Sequence, residues 1–234
     1  MLPFVYKLQY LLFPRKCVLC CAILPQEHID LCPKCRREAP EFTFTPKRIG
    51  GAAGWTAVWF YKDLVRPSIL RYKFRSYRQY AQTYGRLIAM RVLNDLDAEF
   101  DLVTWVTPSI RRQLRRGFDH GRKLAKFVSK ELDLPLCRTL TKKFHNAPQS
   151  ASASASQRRG NVLDAYKVYK PDAFRGKRIL LIDDVITTGA TASECAKTLM
   201  IGGAASVHVA AVAATDFRKK RQNPGAAAPS QRLG

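Results

Sequence analysis

Apolar positions along this chain change rhythm several times, and each change predicts an element. Val5, Leu8, Leu11 and Leu12 recur at near-helical spacing before Pro14, so a short amphipathic helix is expected within residues 1–16. Gly50, Gly51 and Gly54 mark a junction, after which residues 55–61 are rich in aromatic and β-branched side chains and read as a strand. Helical spacing returns over 64–74 and 77–96, followed by a short apolar strand at 100–106 and a helical run at 118–132. The apolar run 178–183 is a further buried-type strand, 190–201 a helix and 206–213 a third strand of the same kind, completing a βαβ crossover. Strands alternating with helices in this way predict an α/β fold on a parallel sheet, occupying residues 50–217. Residues 218–234 turn basic and then rich in Pro, Ala and Ser, a composition expected to stay disordered.

Composition adds charge to this outline. With 234 residues, 47% of them hydrophobic and 10% aromatic, the chain can bury one sizeable core and a small appendage. It carries 40 Lys and Arg against 18 Asp and Glu, a formal +22. That excess goes beyond what solubility requires and points to polyanionic partners, either phosphorylated ligands or a nucleic-acid backbone. Lys7 interrupts the first apolar stretch, no cleavage site frames it, and no run reaches the roughly 20 apolar residues of a membrane span. A cytoplasmic protein with no integral membrane insertion is therefore expected, in which seven cysteines serve as metal ligands or buried thiols.

Four of those cysteines form two short pairs, Cys17-Val-Leu-Cys20 and Cys32-Pro-Lys-Cys35, separated by eleven residues. Each pair offers two sulfurs from one tight turn, and a zinc ion between the pairs can fold a piece too small for its own core. Cys17, Cys20, Cys32 and Cys35 are expected to hold a structural zinc in residues 17–49, with Cys21 as an alternative ligand beside Cys20. Four thiolates leave no open position, which argues against a catalytic metal. Cys137 and Cys195 lack partners at metal spacing and read as buried small apolar residues.

The densest chemistry follows the strand at 178–183. Two carboxylates, Asp183 and Asp184, stand at its end, where open parallel sheets bind ligands. Thr187, Thr188, Gly189, Ala190 and Thr191 then turn into a helix, bringing backbone amides, the positive end of the helix dipole and three hydroxyls onto one anion. That is a cradle for a monophosphate. Acids beside it suit a ligand that presents hydroxyls to them, as a ribose 5-phosphate does. The chain has neither Gly-x-Gly-x-x-Gly nor Gly-Lys-Ser/Thr, so the nucleotide-binding glycine loops fit poorly.

At these residues the sequence resembles the signature with which type I phosphoribosyltransferases bind 5-phosphoribosyl-1-pyrophosphate (PRPP). More closely it resembles the ComF family, through both cysteine pairs, Leu70-Arg-Tyr-Lys-Phe74, an arginine-rich stretch at 111–118, Ala147-Pro-Gln149, the stretch 158–161 and the phosphate loop. The resemblance implies a phosphoribosyltransferase-like sheet with flanking helices joined to a zinc-ribbon-like piece. It also implies a cytoplasmic protein that serves DNA uptake in natural transformation alongside competence DNA-translocation proteins. Two departures stand out: Thr107-Pro-Ser-Ile replaces a segment of the Pro-Val-Pro-Leu type, and Asp119-His120 stand where Asn-Gln is common.

By the same resemblance the loop at 108–118 is the candidate pyrophosphate binder, through Arg111, Arg112, Arg115 and Arg116, whose guanidinium forks suit diphosphate oxygens. Arg122, Lys123, Lys126 and Lys130 continue that charge along the next helix, where single-stranded DNA is a second candidate partner. Residues 140–161, with Lys142, Lys143, His145, a Ser/Ala repeat and Arg158-Arg159-Gly160, read as a hood able to close over a ligand. Lys73 and Arg75 are candidates for a further phosphate contact, but at a helix end they read first as exposed charges. The expected enzyme chemistry is displacement of pyrophosphate from Mg²⁺-PRPP by a nitrogen acceptor. The rival is a site kept as a PRPP or nucleotide sensor on a DNA-binding accessory protein, without turnover.

Overall fold

Ile179, Leu180, Leu181 and Ile182 are all fully buried, and since successive strand residues face opposite ways, this stretch has to be covered on both sides. The computed structural model, which describes residues 14–24, 30–43, 48–74, 77, 79–109, 118–142 and 165–216, shows that cover. In chain order come α1 (Pro33–Glu38), β1 (Gly54–Phe60), α2 (Val65–Phe74), α3 (Tyr80–Asp95), β2 (Leu102–Trp105) and α4 (His120–Glu131). These are followed by β3 (Leu140–Lys142), β4 (Tyr166–Val168), β5 (Arg178–Ile186), α5 (Ala190–Ile201) and β6 (Ser206–Ala214).

Four strands form a parallel sheet in the order β1-β6-β5-β2. Leu180 and Ile182 face one buried cluster, with Val103, Trp105, Tyr72, Tyr84 and Ile88, under α2, α3 and α4. Ile179 and Leu181 face the other, with Leu102, Val209, Cys195 and Leu199, under α5. The apolar residues of the cysteine segment, Val18, Leu19, Leu24 and Leu31, are buried in the first cluster, so this segment shares the core of the helices. Residues 40–42 line the free edge of β1, with Phe42 donating its amide to Val58 and its ring stacked 5.0 Å from Trp55.

The α/β class and the order of elements agree with the pattern of the sequence, and three local differences have physical reasons. The strand expected at 178–183 continues to Ile186, because β6 goes on pairing with it through Ala213 and Ala214. A two-stranded antiparallel ribbon, β3 with β4, stands where no strand was predicted. Each of its strands has three residues, too few to show a period. The six-residue α1, entered through Cys32, is short for the same test. Residues 1–13 of the expected N-terminal helix (1–16), the arginine loop, most of the hood and the tail from 217 onward lie outside the described residues, and 14–16 are not helical. No helix among the described residues is long and apolar enough to cross a membrane.

Candidate functional site

Because the strands run parallel, their C-terminal ends gather at one edge of the sheet. There β2 stops at Trp105, opposite Ile182, while β5 runs on through Asp183 and Asp184. The acids are thus supported by β6 alone, with Asp183 level with Ala211, and the missing continuation of β2 leaves space beside them. A cleft of about 210 Å³ fills that space, lined by Asp183, Asp184, Val185 and Thr191 on one side and by Lys73, Phe118, His120, Lys142 and Tyr166 on others.

The acid pair is internally organised. The Asp184 amide donates to a carboxylate oxygen of Asp183 at 2.8 Å, and the ammonium of Lys73 lies 2.7 Å from Asp184 Oδ1. Burial pushes the Asp183 carboxyl up to about 7, the charge of Asp184 adds to the rise, and the Asp184 amide and Lys73 oppose it. Lys73 departs from the sequence expectation: it is a half-buried ion-pair partner at the cleft, with 18% of its side-chain surface exposed. Its position at the end of α2 is also where a solvated cation favours the helix dipole, so helical pattern alone could not separate the two roles. The adjacent Tyr72 is fully buried between two cations, which only the fold reveals. Arg75 lies outside the described residues.

Beyond the acids the chain turns sharply. Thr215 donates its hydroxyl to the Thr187 carbonyl at 2.5 Å, which fixes the start of the turn. Gly189 takes φ +78°, a left-handed conformation that other residues adopt at a cost, and from it α5 begins. The Ala190 amide meets the Thr188 hydroxyl at 3.3 Å. Thr187, Thr188, Ala190 and Thr191 are exposed and Gly189 is buried, so the turn opens its amides and hydroxyls toward solvent at the N-terminus of a twelve-residue helix.

The opposite wall comes from residues for which the sequence predicts no site role, apart from Lys142, which is expected in the hood. Asp119 caps α4 by accepting from the Arg122 amide (2.9 Å) and also accepts from the Trp105 indole (3.0 Å). It thereby orients Phe118 and His120, whose rings stack at 3.9 Å. Thr107 donates its hydroxyl to the Leu140 carbonyl at 3.0 Å, tying the end of β2 to the ribbon. The ribbon brings Lys142 and Tyr166 to the cleft, and buried Glu194 of α5 accepts from the amides of Ala165 and Tyr166. Arg111, Arg112, Arg115 and Arg116 lie outside the described residues, as do Lys143, His145 and the Arg158-Arg159-Gly160 stretch of the hood.

On the other side of α2, Cys17, Cys20, Cys32 and Cys35 gather with their sulfurs within 4.8 Å of one another. The Cys20 and Cys32 sulfurs are 3.7 Å apart, close to the ~3.8 Å that a tetrahedron with zinc–sulfur bonds of about 2.3 Å requires. The Cys35 amide points at the Cys32 sulfur (3.4 Å), a donor that suits a thiolate. Cys21, at φ +66°, stands apart, with its sulfur 3.4 Å from the Tyr80 hydroxyl. Of the two remaining cysteines Cys195 is buried and Cys137 half-buried.

Comparison with known proteins matches this architecture. The family described as "Phosphoribosyl transferase domain" matches residues 119–227. Competence protein F of Haemophilus influenzae is 27% identical, over 79% of this chain and 86% of its own. DNA utilization protein YhgH of Escherichia coli K12 is 27% identical over 80% of this chain and 79% of its own. Competence protein ComFC of Bacillus subtilis is 26% identical over 64% of this chain and 59% of its own. Among solved structures, an allosteric regulatory enzyme of purine biosynthesis overlays 61% of this chain but only 30% of its own, at 21% identity and TM-score 0.43. A phosphoribosyltransferase domain match behind paired cysteines, with competence and DNA utilization proteins that match about four-fifths of the chain, makes this protein similar to the ComF family.

Proposed function

We propose that the cleft binds a 5-phosphoribosyl ligand, PRPP with Mg²⁺, and that the protein serves DNA uptake in natural transformation. The observation that carries the ligand is the sequence of groups along one strand end: an acid pair, a turn made possible by the positive φ of Gly189, and the N-terminus of α5. In this reading Thr187, Thr188, Gly189, Ala190 and Thr191 hold the 5-phosphate through backbone amides and hydroxyls. Asp183 and Asp184 hold the ribose hydroxyls or metal-bound water, and Arg111, Arg112, Arg115 and Arg116 neutralise the diphosphate. Carboxylates beside a polyphosphate suit Mg²⁺, which Asp183 and Asp184 would hold and which would supply charge neutralisation to the diphosphate. The DNA-uptake role rests on the names of the relatives, competence and DNA utilization proteins.

The four-thiol cluster is proposed as a structural zinc site, since its sulfur spacing fits that ion and four protein ligands leave no place for a substrate. The enzyme reading is transfer of the phosphoribosyl group to a nitrogen acceptor with release of pyrophosphate. A second reading, a sensor of PRPP or nucleotide on a protein that binds single-stranded DNA, is favoured by the +22 charge. Incubation with PRPP, Mg²⁺ and a panel of bases separates them: pyrophosphate release supports transfer, and binding without release supports the sensor. Calorimetry with ribose 5-phosphate and with Mg²⁺-PRPP tests the cleft itself. Changing Asp183 and Asp184 together to Asn should keep or raise ribose 5-phosphate affinity and lower that for Mg²⁺-PRPP, and equal loss of both ligands would refute these roles.

A further inference from the structure

Three consecutive residues of α2 reach three separate parts of the molecule. Successive helical side chains project about 100° apart, and at Arg71, Tyr72 and Lys73 each direction ends on a partner. One guanidinium nitrogen of Arg71 donates to the carbonyls of Val18 (3.1 Å) and Leu19 (2.6 Å), the two residues between Cys17 and Cys20. Ser68, one turn earlier, donates to the same Val18 carbonyl. Tyr72, fully buried, donates its hydroxyl to the His120 carbonyl at 2.7 Å, which seats α2 against the start of α4. Lys73 then projects into the cleft, onto Asp184.

The turn that carries two of the four thiols therefore holds the same turn of α2 that aims Lys73. A guanidinium bonded to two carbonyls is a charge-assisted contact of fixed geometry, and its partners stay in place only while the Cys17–Cys20 turn keeps its shape. At the other end, two carboxylates line a cleft read here as taking a highly anionic ligand. Lys73 is a compact charge on a flexible stem, able to leave Asp184 for a ligand oxygen without movement of the helix.

We propose that Lys73 is a ligand-binding residue of the cleft, exchanging Asp184 for the diphosphate of the bound phosphoribosyl ligand, and that Arg71 positions it by fastening α2 to the Cys17–Cys20 turn. The order of the cysteine cluster thereby sets the affinity of a cleft on the other side of the helix. The binding half of this proposal rests on the reading of the cleft given under Proposed function; the positioning half does not.

The test uses the full-length protein and the variants Lys73→Met, Arg71→Met and Arg71→Lys. In ligand-free protein, the lysine ammonium NMR signal that disappears in Lys73→Met identifies Lys73. An ammonium held by a carboxylate exchanges slowly enough to be seen, so this signal is expected in wild type, lost or strongly broadened in Arg71→Met, and restored in Arg71→Lys, which can still reach a carbonyl. By calorimetry, Mg²⁺-PRPP affinity should fall at least tenfold in Lys73→Met and severalfold in Arg71→Met, with ribose 5-phosphate changed less than threefold. Zinc content should stay at that of wild type in all three. A wild-type Lys73 signal in Arg71→Met overturns the positioning role, and wild-type PRPP affinity in Lys73→Met overturns the binding role. If wild type binds no PRPP, the reading of the cleft falls together with the binding role, while the ammonium signal still decides the positioning. Should Arg71→Met not fold, Arg71→Gln takes its place under the same criteria.

Discussion

Asp184 donates its backbone amide to the carboxylate of Asp183, so the first acid of the pair is held by the chain of the second while also feeling its charge. Of the two influences, repulsion joins burial, and together they outweigh the hydrogen bond and the pull of Lys73 to bring Asp183 to about 7. A free aspartate titrates near 3.9. Between those values the folded protein keeps a proton that the unfolded chain has lost, so the contribution of Asp183 to stability falls as pH rises across that window and is lowest above it. Asp183→Asn is therefore expected to raise the melting temperature by roughly 2–5 °C at pH 8 and to leave it nearly unchanged at pH 4. Thermal unfolding of both proteins at the two pH values checks this, and a larger gain at pH 4 would reverse the sign.

The turn at Gly189 should tolerate volume better than it tolerates a side chain's backbone preference. An added Cβ there would meet only Ile49 Cγ1, at 3.6 Å, but φ is +78°. Gly189→Ala should cost about 1–2 kcal/mol through strain. Gly189→Val, with a branched side chain beside the amides, should also abolish ribose 5-phosphate binding. Denaturant melts and calorimetry measure the two effects, and full ribose 5-phosphate affinity in a folded Gly189→Val protein would remove the turn from the site.

Purified protein should contain about one zinc ion per chain, and the double variant Cys32→Ser/Cys35→Ser should contain none. Because Val18, Leu19, Leu24 and Leu31 are buried together with Tyr72, Tyr80 and Tyr84, metal loss should loosen α2 and α3 as well as the cysteine segment. Elemental analysis with hydrogen exchange checks both: zinc-free wild type, or unchanged protection over α2 in the variant, would count against the prediction.

Arg122, Lys126 and Lys130 are exposed at four-residue spacing along one side of α4. If that side meets a nucleic-acid backbone, single-stranded DNA should bind without sequence preference and weaken steeply with salt. Replacing the three with Ala should lower affinity at low salt and flatten the log–log salt slope by about 2. Fluorescence anisotropy across a salt series reads the slope, and a triple variant with the wild-type slope excludes this side of α4.

How much of this was legible in the sequence depended on how locally each feature is encoded. The α5 bounds, 190–201, can be read directly, since a left-handed glycine starts the helix and Gly202 ends it. The four clustered thiols are likewise visible in two short spacings. The length of β5 was not legible, because its last three residues are strand only by virtue of their pairing with β6. Nor was the ribbon that brings Lys142 and Tyr166 to the cleft, whose strands are held by distant partners: Thr107 reaches Leu140 and Glu194 reaches Tyr166. Lys73 was misread for the same reason, its partner lying 111 residues further along the chain.

The burial of Val18, Leu19 and Leu31 among the aromatic rings of α2 and α3 also bears on how such a protein can be taken apart. A gene fragment beginning at Gly50 would encode every strand of the sheet, yet its product would expose the faces of Ile69, Tyr80 and Tyr84 to water. Such a surface invites self-association. Any change to the cysteine segment of this chain has to keep the fit of Val18, Leu19 and Leu31 to those two helices. The two parts are one unit of packing, and neither can be exchanged alone without opening that seam.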